Sequence, residues 1–181
     1  VPDNKVMFFP NWADTEFVTP SVCGVAMREK WGFTEKDKVV LYAGNMGAKQ
    51  GLEMVLEAAV QFQTLPEVKF VFVGAGAHVD ALTQMVKDLQ LNNVIFKPLQ
   101  AWEDVPAMLS MANIHLVIQK KGAADAVLPS KLTNILSAGG KAIVTAEVTT
   151  ELGKIEHKYP GIFKLVEPES LPAFVTALNL L

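Results

Sequence analysis

Residues 39–59 read VVLYAGNMGAKQGLEMVLEAA. Five residues from Val39 to Ala43 run without a strongly polar interruption. Gly44, Gly47 and Gly51 follow, and then Leu52, Val55, Leu56 and Ala59 recur at helical spacing. A strand that is apolar on both faces belongs inside a parallel sheet covered by helices. The i, i+3, i+4, i+7 spacing marks one face of a helix. The stretch is therefore strand, glycine turn, helix, which is the first half of a βαβ unit.

The same alternation extends over the chain. Apolar runs at 70–73 (FVFV), 94–96 (VIF), 114–118 (IHLVI) and 142–146 (AIVTA) predict further strands, and IFKLV at 162–166 a short last one. Helical spacing returns at Leu82/Met85/Val86/Leu89, Val105/Met108/Leu109/Ala112 and Leu171/Phe174/Val175/Leu178, with an earlier helix over 20–31. Asp80 and Ser170 are expected as caps of the helices they precede. Strands alternating with helices predict one α/β domain, a Rossmann-like doubly wound parallel sheet. The chain has no fixed-period repeat and no low-complexity linker.

Composition narrows the function classes. Half of the 181 residues are apolar and 19% are charged, a globular and not a disordered balance. A formal charge of −3 argues against a general nucleic-acid binder. The single Cys23 cannot form an internal disulfide, and no Cys/His cluster has zinc spacing. No apolar run reaches the length of a membrane span, and no signal-peptide pattern opens the chain. A reducing, cytosolic setting is expected. The chain opens on Val1 and a helical pattern runs to its last residues, so a piece of a longer protein is expected.

In doubly wound sheets, ligands bind beyond the carboxyl ends of the strands, at helix N-termini. The loop 44–51 lets its backbone approach a ligand, and Lys49 adds charge at the helix start. Its spacing is neither GxGxxG nor a Walker A loop, so a plain βα turn stands as the competing reading. The glycines of 74–76 (GAG) are read as structural.

A second loop leads into 121–140, KGAADAVLPSKLTNILSAGG. Pro129 suits a first helical turn, where its missing N–H costs nothing. Leu132, Ile135 and Leu136 form a buried stripe, while Lys131 and Asn134 occupy another face. A lysine beside a helix start is disfavoured unless an anion is shared between them. The competing reading is a snorkelling surface lysine. His78, His115 and His157 have no partner spacing, and His115 reads as a satisfied core residue. Lys120 and Lys121 read as solvated. No nucleophile elbow, Ser-His-Asp order or paired metal carboxylates can be placed, so catalytic residues are not identified.

Four segments in order, FFPNWAD (8–14), LYAGNMGAKQGLEMVLEAA (41–59), FVFVGAG (70–76) and AVLPSKLTNILSAGG (126–140), resemble the donor-binding C-terminal domain of retaining GT-B glycosyltransferases of the GT4 family. The resemblance covers essentially the whole chain, 1–181. QKKGAADAVLPSKLTNILSAGG, followed by VTAEVTTELG and VEPES, is closer still to a fucosyltransferase-like subgroup from bacterial colanic-acid clusters.

That resemblance implies a nucleotide diphosphate sugar as donor, GDP-fucose among the candidates, and no metal or other cofactor. It implies a lipid-linked acceptor handled by an N-terminal domain absent here, together with absent final helices. It places the protein in exopolysaccharide synthesis at the cytoplasmic face of the inner membrane. Phosphate contacts fall on Gly44, Asn45, Gly47, Lys49, Gln50, Leu128, Ser130 and Lys131, and ribose or sugar contacts on Asp125 and Asn134. Two departures stand out. The family's paired glutamates are matched here by Asp125 or Ala126 and by Asn134. Its glycine-loop arginine and lysine are matched by Asn45 and Gln50. A non-catalytic nucleotide-binding or assembly domain remains an alternative because of Asn134. A GT-B nucleotide-sugar epimerase is disfavoured by the weak carboxylates, and a Rossmann oxidoreductase by the lack of GxGxxG.

Overall fold

The computed structural model describes residues 12–122 and 128–179. Residues 8–11 of the opening motif, and Asp125 and Ala126 of the second loop, lie outside the described residues. Six strands, β1 (Lys38–Ala43), β2 (Val68–Val73), β3 (Val94–Lys97), β4 (Ile114–Val117), β5 (Ala142–Thr145) and β6 (Lys164–Val166), form one sheet in the order β3-β2-β1-β4-β5-β6. Every pairing is parallel. The order reverses between β1 and β4, which makes their carboxyl ends the switch point of the sheet.

The helices are α1 (Val25–Trp31), α2 (Glu53–Gln61), α3 (Val79–Asp88), α4 (Val105–Ser110), α5 (Ser130–Ser137), α6 (Glu151–Lys158) and α7 (Leu171–Leu178). Alternate residues of β1 face opposite layers. Val40 and Tyr42 pack with α2, α3 and α7, while Val39 and Leu41 pack with α1, α4, α5 and α6. Every strand expected from the apolar runs is present, with ends displaced by a few residues. The last strand is shorter than IFKLV because Ile162 is still in a turn, its N–H bonded to Tyr159 O.

Several local expectations are corrected. α1 begins at Val25 and not near 20. Asp80 does not cap α3: His78 holds the cap position, and Asp80 lies inside the first turn, where its charge complements the dipole without a capping bond. Ser170 does precede α7, but its side chain makes no capping hydrogen bond. Pro129 sits just before α5 and not in its first turn. α6 is additional to the helices read from spacing. It is fixed instead by Thr150, whose hydroxyl oxygen accepts from Gly153 N–H at 3.3 Å. His115 is buried in β4, as expected of a core residue, yet only half satisfied, since its Nε2 has no hydrogen-bond partner among the described residues. Burial lowers its pKa to about 4.

Candidate functional site

The carboxyl ends of β1 and β2 continue into two loops that pack backbone to backbone. Gly44 N–H donates to Val73 O, Met46 N–H to Ala75 O, and His78 N–H to Met46 O, at 2.8–3.0 Å. This closeness requires glycine. A Cβ on Gly74 would lie 2.1 Å from the Gly44 carbonyl oxygen, and Gly74 has φ +138°. A Cβ on Gly76 would lie 2.3 Å from Met46 O. The GAG segment is thus the floor of the 44–51 loop, in keeping with its structural reading.

Within that loop, Gln50 turns inward. Its Oε1 accepts from Gly47 N–H at 3.0 Å, closing a clasp around a single 3₁₀ turn. Gln50 therefore holds the loop's shape with the group expected to replace a ligand-binding lysine. The backbone N–H groups of Gly44 and Gly47 are likewise engaged within the protein. Asn45 and Lys49 are both exposed. Lys49 O accepts from Lys120 N–H at 3.3 Å, which ties the loop to the segment after β4.

Lys120 is not the solvated residue that its sequence implied. Its aliphatic stem lies over Gly51, where an added Cβ would meet Lys120 Cγ at 2.9 Å. Lys121 is exposed and pairs with Glu147 at 3.5 Å. One further pair lies along this rim: His78 Nε2 and Glu53 Oε1 are 2.7 Å apart, linking the loop after β2 to the first turn of α2.

α5 rises from the other side of the switch point. Among the described residues no side chain caps its first turn, and its leading N–H groups and positive dipole end face the carboxyl edge of the sheet. Leu128 and Ser130 are exposed there, and Asn134 is half-buried one turn along. Leu132 and Ile135 anchor the helix in the core. Lys131 reaches back across the edge. Its Nζ lies 4.0 Å from the centroid of the Tyr42 ring, and a Cβ on Gly44 would come within 2.8 Å of it. Among the described residues no carboxylate pairs with this ammonium. Burial lowers its pKa from 10.5 to about 8.

Tyr42 is the residue that sequence reasoning passed over. It is fully buried, and its hydroxyl donates to Asn45 O at 2.6 Å. Burial pushes its phenol pKa well up, so the group remains an O–H donor. The signal was present, because a buried tyrosine must find a hydrogen-bond partner.

Of the site residues expected from sequence, Gly44, Asn45, Gly47, Gln50 and Lys131 are brought together around this one point. Lys49, Leu128, Ser130 and Asn134 stand on the surrounding rim, and Asp125 lies outside the described residues. The arrangement offers a basic, partly desolvated seat beside a helix start, suited to an anionic group. A separate cavity of about 490 Å³, lined by Gly140, Lys141, Phe163 and Ala177 among others, lies at the amino ends of β4–β6, away from this seat. No helix of the described residues is long and apolar enough to cross a membrane.

Comparisons with known proteins show the family and the fold. The profile of the family "Glycosyl transferases group 1" matches residues 26–181. The chain is 46% identical, over 99% of its length and 44% of the relative's, to the colanic acid biosynthesis glycosyl transferase WcaI of Escherichia coli K12. It spans less than half the length of the curated relatives it matches. Among solved structures, the C-terminal domain of the group 1 glycosyl transferase LpcC from Francisella tularensis superposes with a TM-score of 0.68 at 18% identity, covering 93% of this chain and 86% of that one. HepE from Anabaena, in complex with UDP-glucose, superposes with a TM-score of 0.76 at 19% identity, covering 94% of this chain and 46% of that one. With its sheet order, its switch-point site and these matches, the chain belongs to the group 1 glycosyltransferases and has the fold of a GT-B C-terminal domain.

Proposed function

We propose that the chain is the donor-binding domain of a retaining glycosyltransferase, which moves a sugar from a nucleotide diphosphate sugar to a lipid-linked acceptor in colanic-acid-like exopolysaccharide assembly. The donor proposed is GDP-fucose. The relationship to WcaI supports the pathway class, and the UDP-glucose bound by HepE supports a nucleotide sugar as ligand of the fold. The observation that carries the reading is Lys131, a largely desolvated ammonium at the start of α5, set over the Tyr42 ring and without a carboxylate partner among the described residues.

In this reading the diphosphate lies between the 44–50 loop and the first turn of α5. Lys131 faces it from below and Lys49 from the rim. The Asn45 amide and Ser130 hydroxyl supply hydrogen bonds, and Leu128 packs at its edge. Asn134 and Asp125 take the ribose or sugar. During transfer the bond between the anomeric carbon and the diphosphate oxygen breaks, and that oxygen gains negative charge. Fixed positive groups at that place stabilise the leaving group, usually the largest catalytic term. Neutralisation by ammonium and helix N–H groups leaves no step that calls for a metal or cofactor. The acceptor and the opposite wall of the cleft come from a further domain, which works at the inner surface of the membrane.

The test is a calorimetric and thermal-shift comparison of GDP-fucose, UDP-glucose and the free nucleosides, since a ligand selective for the folded state raises its stability. Diphosphate sugars are expected to bind and nucleosides to bind far less. Equal affinity for nucleoside and diphosphate sugar rules the reading out. Sugar transfer by the full-length protein separates the enzyme from a non-catalytic nucleotide-binding domain.

A further inference from the structure

We propose that Tyr42 is a positioning residue of the donor site, one ring that sets the glycine loop and α5 at a fixed separation across the switch point. The inference rests on the donor-site reading above and adds to it a residue that makes no contact with the donor itself.

Three observations converge on this ring. Its hydroxyl holds Asn45 O at 2.6 Å, so the turn leaving β1 is fixed at its second residue. Its face carries the Lys131 ammonium at 4.0 Å from the centroid. The ring packs against Phe72, tilted 41° with centroids 6.0 Å apart, in a fully buried position on an inner strand. A phenol so held cannot shift without moving the core, and both ligand-facing elements lean on it.

The contact crosses between layers. Tyr42 belongs to the layer shared with α2 and α3, whereas α5 packs its apolar stripe on the opposite layer. Lys131 thus reaches over the carboxyl edge to a residue of the other face. A core tyrosine needs only an acceptor for its hydroxyl, and this one accepts a cation on its face as well. A cation over an aromatic face is held by the ring quadrupole and keeps a preferred orientation when desolvated. The ammonium is thereby aimed toward Gly44, and the loop carbonyl is drawn down and away from the seat.

The experiment uses this chain with Tyr42→Phe and Tyr42→Leu, each alone and combined with Lys131→Met. The first readout is the NMR resonance of the Lys131 ε-methylene, assigned by its loss in Lys131→Met. An aromatic ring beneath it shifts that resonance upfield, whether or not a donor binds. The second readout is calorimetric affinity for a nucleotide diphosphate sugar.

Tyr42→Phe is expected to keep the upfield shift and lose affinity by about two- to tenfold, the worth of one net hydrogen bond. Tyr42→Leu is expected to erase the shift and lose more affinity. Its loss should largely vanish in the Lys131→Met background, since two residues acting through one contact are not additive. A folded Tyr42→Phe protein that binds like the wild type overturns the proposal, as do strictly additive losses in the cycle. Absence of the upfield shift in the wild type overturns it on geometry alone. A wild type with the shift but without affinity for any diphosphate sugar instead sinks the donor-site reading, and the positioning role falls with it.

Discussion

Raising the pH from 7 to 9 should weaken donor binding while making the unliganded protein more stable, and both effects should trace to Lys131. Burial holds its pKa at about 8 against an ordinary 10.5. A diphosphate beside the ammonium favours the charged form, so the pKa rises again in the complex. Donor affinity is then flat below the free-state pKa and falls above it, by up to about tenfold per pH unit. One unit above the midpoint only about a tenth of the molecules carry the proton, so affinity at pH 9 should be about tenfold weaker than at pH 7.

Stability moves the other way. Between about pH 8 and 10.5 the unfolded chain keeps a proton on this lysine that the folded chain has lost, so the contribution of Lys131 to stability rises with pH. Fully developed, that contribution is about 3 kcal/mol. Lys131→Met should accordingly be more stable than the wild type at pH 7 while binding donor more weakly. The assay is isothermal calorimetry at fixed ionic strength from pH 7 to 9, with urea unfolding of the unliganded proteins. Subtracting the Lys131→Met profile removes the ionisation of the nucleotide base. Parallel pH profiles for wild type and Lys131→Met, or a variant less stable at pH 7, would refute the reasoning.

The other predictions concern the scaffold. Gly47 has φ −108° and tolerates a side chain conformationally, but an added Cβ would press between Gln50 Oε1 at 3.0 Å and Asn45 Nδ2 at 3.1 Å. Gly47→Val should therefore fold, by circular dichroism, and lose donor affinity as the Gln50 clasp opens; unchanged affinity would make the loop only a turn. Gly74→Ala should cost about 2–4 kcal/mol in urea unfolding, combining a positive φ with a backbone clash against Gly44 O; a loss under 1 kcal/mol would contradict the packing of the two loops. His115 has a folded pKa of about 4 against 6.5, so its share of stability is fully present above about pH 6.5. That share, about 3 kcal/mol, is lost as pH falls toward 4, and His115→Leu should flatten this part of the acid profile. Lys121→Ala removes only an exposed ion pair, so its stability should change by less than about 1 kcal/mol and its donor affinity should not change.

The sheet was legible in sequence because its strands are buried on both faces, and short continuous apolar runs between helical segments fit the inside of a parallel sheet. α6 was not, since ELGKIEHK buries only Leu152 and Gly153 and its apolar stripe is too thin to show a period. At the site, the charge of Lys131 beside a helix start could be argued from spacing. Its burial could not, because the covering ring comes from β1, on the far side of the switch point. The structural role of Gln50 was hidden for a related reason. Family likeness placed it where a lysine meets phosphate, but the 3₁₀ turn brings its carbonyl oxygen to Gly47 N–H first. Lys120 looked solvated because sequence does not reveal that Gly51 leaves room for its stem. Each of these site features involves a side chain whose partner lies on another element or is created by a turn.

The central claim is that Lys131 grips the diphosphate of a nucleotide sugar. It is tested most directly by comparing the affinities of wild type and Lys131→Met for a nucleoside diphosphate and for the corresponding nucleoside, at pH 7 and low salt. A hydrogen bond to a charged group is worth about 1.5–3 kcal/mol, so the diphosphate should lose about tenfold to a hundredfold in affinity. The nucleoside should be unaffected, and the gap should narrow as salt is raised. Equal losses for diphosphate and nucleoside, or tighter binding of either by the variant, would show that Lys131 does not hold phosphate.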